Sequence, residues 1–299
     1  MVGHGTHLGP PARRGNGALI NAMANLATTS GKADLHTHTS FTDGMMDVRA
    51  LLDHFEERTD VDVVALTDHD DLTAGLVARG LAERHHYRFQ VIVGCEVTTL
   101  SGHLIGLFLE SPVPWLQSME KTLQAIHRQG GLAIAPHPLS WLTFSLGQRA
   151  LLRAARSQDT GVYFDGIETA NPSFAAQIVR DRVLRLNRET LGLAEIGASD
   201  AHFLAAAGSG ITHFPGHTAE DLRRAILRRK TAAESFHVPL SAIGYGELVK
   251  QQVRSLVICP ARSVAKPLRR LLGRGRQPGT GEAPTGARPE GSPADTGAG

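Results

Sequence analysis

Nine side chains able to bind a metal sit in five short stretches of this chain: His36, His38 and Asp43; His69; Glu96 with His103; His137; and Asp200 with His202. His36 and His38 are two residues apart, so on an extended strand both point to one face and can share an ion. Asp200 and His202 repeat that spacing with a carboxylate and an imidazole. Asp43 lies in a Thr-Asp-Gly turn and reads equally as a turn aspartate; next to His36 and His38, ligation is favoured. His103 alone reads as a strand-edge histidine, whereas His137 is fixed on both sides by Pro136 and Pro138. So many donors in so few stretches point to a multinuclear metal site.

Short apolar runs precede most of them. Val63–Leu66 comes before Thr67-Asp68-His69, Val91–Val93 before Glu96, Leu132–Ala135 before His137, and Ile196–Ala198 before Asp200. Each run reads as a buried strand that delivers a ligand at its C-terminal end, the end at which catalytic groups collect in parallel α/β folds. Between the runs, helical periodicity covers Asp47–Glu57, Leu72–His85, Trp115–Gln129, Ala175–Thr190 and Ala219–Arg229. The last helix is preceded by Thr218, three residues before Asp221, a capping box with Asp in place of the usual Glu. This alternation predicts a barrel or a doubly wound sheet.

Other residues stand beside the ligands. In Thr67-Asp68-His69-Asp70, Asp68 is placed to orient a ligand, and Asp70 or Asp71 to cap the following helix. Glu96 is an acid directly after a buried strand and needs a partner, which a metal bridge supplies. Glu168 and Asn171 follow the strand-like Asp165–Ile167 and read either as substrate contacts or as loop caps. The segment Gly210–Pro215 reads as a loop that covers the site and carries His213. His4, His7, His54, His85, His86, His127 and His237 read as solvated or packed without function.

The whole chain of 299 residues, 41% hydrophobic, accommodates one large α/β domain. Its 31 basic residues nearly balance 29 acidic ones, so nothing global suggests a protein built to coat nucleic acid or membrane. Two cysteines, Cys95 and Cys259, allow neither a disulfide framework nor a thiolate zinc cluster, and a reducing cytoplasm fits best. Residues 1–32 read as a flexible leader without the apolar core of a secretory signal, 33–235 as the catalytic domain, 236–272 as a basic helical extension, and 273–299, rich in Gly, Pro, Ala, Ser and Thr, as a disordered tail. Lys250–Arg276 reads as a helix packed on the barrel followed by a basic tail, with weak contact to RNA or an anionic membrane as the alternative. No obligate protein partner is evident.

In order, the motifs His-x-His-x4-Asp, Thr-Asp-His, Gly-x-Glu, His-x-x-Gly, Pro-His-Pro and Ser-Asp-x-His, from about Ala33 to Ala233, resemble the polymerase and histidinol phosphatase (PHP) superfamily of metal-dependent phosphoesterases. The resemblance implies a distorted (β/α)7 barrel with a trinuclear metal site at the strand C-terminal ends. It implies one ion on His36, His38, Glu96 and Asp200, a second on Glu96, His103 and His137, and a third on Asp43, His69 and His202, with Glu96 bridging. Two or three divalent ions would be held, and mixed imidazole and carboxylate ligation suits Mn, Zn or Fe. The segment Ser199–Thr231 resembles short bacterial members, which implies action on 3',5'-bisphosphate nucleotides or the 5' ends of short RNA; a small phosphorylated substrate or a nucleic-acid end would be the partner. Asp68 is a further catalytic candidate, and Asp70, His213 and metal-bound water are open as the general acid. The chain departs from nucleotide-directed relatives in having no cation between His137 and Arg149. Trp141 and Phe144 there either stack on a base or line a pocket for an uncharged ester or amide. Hydrolysis of such a substrate is therefore the runner-up, and a non-catalytic metal-stabilised module the third reading.

Overall fold

The computed structural model describes residues 30–258, all within one compact unit. Most of the expected leader and the whole expected tail lie outside the described residues. Residues 30–32 do not belong to a leader: they open the first strand.

Nine strands form one sheet, β1 (Ser30–Asp34), β2 (Val63–Leu66), β3 (Gln90–Thr99), β4 (Gly102–Leu107), β5 (Leu132–Ala135), β6 (Gly166–Ala170), β7 (Ala194–Gly197), β8 (Gly210–Pro215) and β9 (Ala232–Ser235), in the order β7-β6-β5-β4-β3-β2-β1-β8-β9. Among the described residues seven α-helices accompany them: α1 (Val48–Arg58), α2 (Thr73–His85), α3 (Met119–Arg128), α4 (Gln148–Ala155), α5 (Phe174–Leu186), α6 (Ala219–Leu227) and α7 (Tyr245–Val253). Neighbours pair in parallel except β4, which is antiparallel to β3 and β5, and β8, which is antiparallel to β1 and β9. Those reversals are the distortion of the barrel.

Alternation along the strands builds two layers. Val63 and Ala65 of β2 face inward with Ala33, Ile92, Ile134 and Ile196, while Val64 and Leu66 face outward onto Leu51, Leu52 and Phe55 of α1 and Ala74 and Ala78 of α2. On β5 the outward pair is Ala133 and Ala135, small enough to let Leu123 and Ile126 of α3 and Leu151 of α4 close over them. Strands buried on both faces need this continuous apolar composition. The barrel nearly closes where β7 meets β8: a Cβ on Gly197 would stand 2.1 Å from the Ile211 carbonyl oxygen, so no side chain fits there, and the Gly197 N–H donates to Thr212 Oγ1 at 3.0 Å.

Helix α6 starts at the expected capping box, Thr218 with Asp221. It lies across the strand N-terminal ends, where its Ala219 N–H donates to Gln90 Oε1 at the start of β3 (2.7 Å). Leu222, Ala225 and Ile226 join the inward strand residues. That end of the barrel is sealed, which leaves the opposite end for chemistry.

Some sequence expectations need correction. The strand before Glu96 runs on to Thr99, so Glu96 lies inside β3 and not after it. Gly210–Pro215 is strand β8, paired on both sides, and covers nothing. At the start of α2 it is Asp71 that accepts from the Thr73 N–H (2.7 Å); Asp70 is turned to β3. Beyond β9 the described chain forms a 3-10 turn (Leu240–Ala242), α7 and a π turn (Arg254–Ile258), and the remainder of Lys250–Arg276 lies outside the described residues. Among the described residues no helix is long and apolar enough to cross a membrane.

Candidate metal centre

The site is assembled at the open end by six segments. After β1 the chain stays extended through Leu35-His36-Thr37-His38, held by a bridge between Thr37 and Ala201 and by Thr37 Oγ1 donating to the Ala65 carbonyl at 2.8 Å. Thr37 therefore faces the sheet while His36 and His38 turn together into the site, both buried. His69 follows β2 and bridges to Glu96. His103 arrives from the beginning of the reversed strand β4. Two ligands sit on left-handed backbone, His137 (φ 28°) and Asp200 (φ 51°). Such conformations cost energy and persist where surrounding contacts enforce them, as they do at functional sites.

All nine side chains converge, in four overlapping groups whose ligand atoms lie within 4.8 Å of one another: His38, Asp43, His69 and His202; His36, His38 and Asp200; His36, Glu96 and His137; and His69, Glu96 and His103. Glu96 is the hub. Its Oε1 faces His103 Nδ1 at 2.9 Å and His137 Nε2 at 3.0 Å, and its Oε2 stands 3.3 Å from His36 Nε2, His38 Nε2 and His69 Nδ1. A carboxylate that serves two donor sets through its two oxygens has the geometry of a bridging ligand. Asp200 Oδ1 adds to the first pair, 3.4 Å from both His36 Nε2 and His38 Nε2. Asp43 Oδ2 lies 3.0 Å from His202 Nε2 and 3.6 Å from His69 Nε2, and its Oδ1 lies 3.5 Å from His38 Nδ1.

These donors fit metal ions better than they fit one another. Two imidazole nitrogens, His36 Nε2 and His38 Nε2, face each other at 3.0 Å, and the buried His38 Nδ1 has no hydrogen-bond partner. Ligands of a tetrahedral ion with bonds of about 2.0–2.1 Å stand about 3.4 Å apart, close to the separations seen here. The field favours positive charge throughout. Burial opposes protonation of His38, but Asp200, Glu96 and Asp43 outweigh it and raise its pKa to about 10. Burial likewise opposes ionisation of Glu96, yet His103, His69 and His36 hold it well below the carboxylate range. Asp43, beside His202 and His69, and Asp200, beside His36 and His38, are also held low against burial.

Around the ligands a ring of buried groups fixes their orientation. Glu168 Oε1 accepts from His36 Nδ1 at 2.7 Å, and its Oε2 accepts from the His137 N–H (2.7 Å) and Asn171 Nδ2 (3.1 Å). A carboxylate behind a histidine sets its tautomer and leaves Nε2 free for the ion. Glu168 and Asn171 are thus buried groups that hold His36, the His137 backbone and each other, and Asn171 Oδ1 also accepts from the Ser173 N–H at 2.9 Å before α5. Asp68, likewise buried, is not placed for catalysis: it accepts from the Thr39 N–H and hydroxyl and the Thr42 hydroxyl, at 3.0, 2.9 and 2.5 Å, and shapes the loop that presents Asp43. His213 does not join the cluster; it faces Glu234 on the neighbouring strand at 2.8 Å. Asp70 accepts from the Thr98 N–H at 2.7 Å, and burial raises its pKa.

Two further positioning groups escaped sequence reading. Asp34 is fully buried and accepts from the Ser199 and Gly208 N–H groups at 3.0 and 2.9 Å, gripping the turn that carries Asp200; burial raises its pKa to about 6 despite these bonds. It stands two residues before His36, so period-two alternation was a usable signal. Ser145 Oγ lies within hydrogen-bond distance of His137 Nδ1, at 2.7 Å, and nothing local marks it. At the rim, the Phe144 ring meets His103 edge-on at 5.4 Å, while Trp141 on the same loop is 73% exposed.

A family model described as PHP-associated matches residues 183–231, from the end of α5 through α6. An uncharacterized protein of Methanocaldococcus jannaschii is 34% identical over 164 residues, 51% of this chain and 89% of that protein, and a second from the same organism is 28% identical over 192 residues, 61% of this chain and 70% of that protein. Among solved structures, the chain resembles a two-domain protein of Bacteroides vulgatus containing a predicted PHP-like metal-dependent phosphoesterase (TM-score 0.58, 21% identity, 76% of this chain and 70% of that one). It also resembles PsfC of Pseudomonas syringae (TM-score 0.50, 17% identity, 77% and 99%). These structural likenesses concern the fold, a barrel whose open end here gathers nine metal-binding side chains behind a PHP-associated C-terminal portion. With its PHP-associated segment, the chain belongs to the PHP superfamily.

Proposed function

We propose that this protein is a metal-dependent phosphoesterase, a hydrolase that removes phosphate from 3',5'-bisphosphate nucleotides or acts at the 5' ends of short RNA. The observation that carries the hydrolase reading is the division of Glu96 between two sets of histidines, each of its oxygens within 2.9–3.3 Å of its partners. When bound, two or three ions of Mn, Zn or Fe would supply Lewis acidity, bringing the pKa of water toward about 7 and offsetting charge that develops on a phosphoryl group.

The chain's own residues have three tasks. Glu168 fixes the tautomer of His36, and Ser145 orients the His137 ring. The buried wall around His36, His38 and Glu96 excludes bulk water, which strengthens every charge interaction at the open face. Asp70 is the candidate proton donor to the leaving oxygen: it is half-buried next to His69, and burial raises its pKa above that of a free carboxylate. Support for a nucleotide comes from the rim, where Phe144 and the exposed Trp141 offer faces on which a base stacks. The test is phosphate release from a 3',5'-bisphosphate nucleotide, beside simple phosphomonoesters, by Mn-loaded protein with His137→Ala as control. Release by the wild type alone supports the reading; no release from metal-replete protein overturns it.

A second reading, hydrolysis of an uncharged ester or amide, is favoured by one observation. The rim loops expose Phe41, Leu100, Leu116, Trp141, Leu142 and Phe144, and the loop after His137 has no cation before Arg149. An apolar mouth suits an apolar substrate, and an ester panel run with the same variants separates the two readings.

A further inference from the structure

The loop Thr39–Gly44 presents Asp43, and two clamps hold it. From inside the barrel Asp68 grips Thr39 and Thr42. From outside, Arg254 Nη2 donates to the Ser40 carbonyl at 2.8 Å and to the Thr42 carbonyl at 3.0 Å, spanning the turn directly before Asp43. Met45, just past the loop, donates its N–H to the His202 carbonyl at 2.8 Å, so the backbone that Arg254 holds is tied to two members of one ligand group. Arg254 opens the π turn after α7, more than two hundred residues along the chain from the loop it touches.

Among the described residues, these are the hydrogen bonds that residues 237–258 make to the barrel. The segment is otherwise sparsely held, with Leu240, Tyr245, Val249, Val253 and Leu256 exposed. Arg254 Nε is buried without an acceptor, so the guanidinium has given up solvent there in keeping its grip on the two carbonyls. A charged donor bound to two backbone acceptors fixes a loop more firmly than neutral contacts do.

We infer that Arg254 is a positioning residue of the metal centre, through which the C-terminal segment secures the Asp43 loop and the ion held by His38, Asp43, His69 and His202. The inference rests on the reading of the nine side chains as a metal centre. It makes the segment beyond β9 a working part of the site and not only a packed appendage. Groups that orient ligands from behind change metal affinity by about 10–100-fold when removed, and that is the effect expected here.

Full-length wild type, Arg254→Ala, Arg254→Lys, Asp43→Ala and Lys250→Ala are loaded with Mn and dialysed, and metal content is measured together with the rate of release to a chromophoric chelator. Asp43→Ala identifies the fraction belonging to this group. Arg254→Ala should release that same fraction about 10–100-fold faster and keep the rest, Arg254→Lys should fall between, and Lys250→Ala, on the same segment, should match wild type. The metal-free Arg254 and Lys250 variants should keep the wild-type fold by circular dichroism. Arg254→Ala with wild-type content and release overturns the inference, as does loss from every group together with a lowered metal-free melting temperature, the mark of a general packing role. If Arg254→Ala does not fold, Arg254→Lys carries the same test. Wild type that holds no metal overturns the metal-centre reading itself, a result distinct from an Arg254 variant that behaves as wild type.

Discussion

His38 shows in one residue what the centre is built for. Both ring nitrogens face carboxylates and neither has a fixed hydrogen-bond acceptor of the kind Glu168 gives His36. Without metal, that field is satisfied by protons, which is why His38 titrates near 10. At neutral pH an ion must therefore displace protons from imidazoles that hold them tightly, and metal affinity should rise with pH through the neutral range. Titration calorimetry in buffers of different ionisation heat should show protons released on Mn or Zn binding at pH 7; binding without release would mean that the histidines are not ligands. Glu168 makes a second prediction. As glutamine it would face three donors, His36 Nδ1, the His137 N–H and Asn171 Nδ2, with a single acceptor oxygen. Glu168→Gln should lower metal affinity by about 10–100-fold while the fold is retained, read by metal titration and circular dichroism.

The helices owe their seating to buried polar pairs as well as apolar faces. His127, in the last turn of α3, places Nδ1 2.9 Å from the Gly161 carbonyl and Nε2 3.0 Å from Asp165, which also accepts from the Ala133 N–H at the start of β5. Burial opposes its protonation, but the Asp165 and Gly161 bonds outweigh it and raise the pKa above 6.5. The folded state then holds this proton more tightly than the unfolded chain, so the stabilisation is complete below about pH 6.5 and is lost as pH rises through the folded value. His127→Gln should be less stable than wild type by about 1 kcal/mol at pH 6 after allowing for solvent screening, with the gap narrowing by pH 9; a gap constant in pH would show that the charge contributes nothing. This histidine was readable as packed without catalytic function, and most elements were equally legible. β2 and β5 matched their apolar runs because turn residues bound those runs on both sides. β3 extended past its expected end because Glu96 looked like a terminus: a charged residue inside a buried strand is affordable only where partners surround it. β8 read as a loop because Gly210, His213 and Pro215 outweighed its alternation. The grips of Asp34 on Ser199 and of Arg254 on Ser40 join residues too distant in sequence for any local pattern to register.

For the molecule as a whole, the metal centre ties together strands from both halves of the barrel, so occupancy and stability are linked. Ions present at a hundred times their dissociation constant add about 2.7 kcal/mol to the folded state. Chelation should lower the melting temperature and re-addition of Mn or Zn should restore it, followed by calorimetry; identical melting curves with and without chelator would mean that the donors bind no ion. Helix α6 has a different consequence. Leu222, Ala225 and Ile226 stopper the barrel at the strand N-terminal ends, while every ligand opens toward the other end. Among the described residues the ligands all open at that one end, so what leaves would pass where the next molecule enters. On the proposed reading, departing product and arriving substrate would meet at the same nine side chains, and the progress curve of the reaction should bend early as product accumulates.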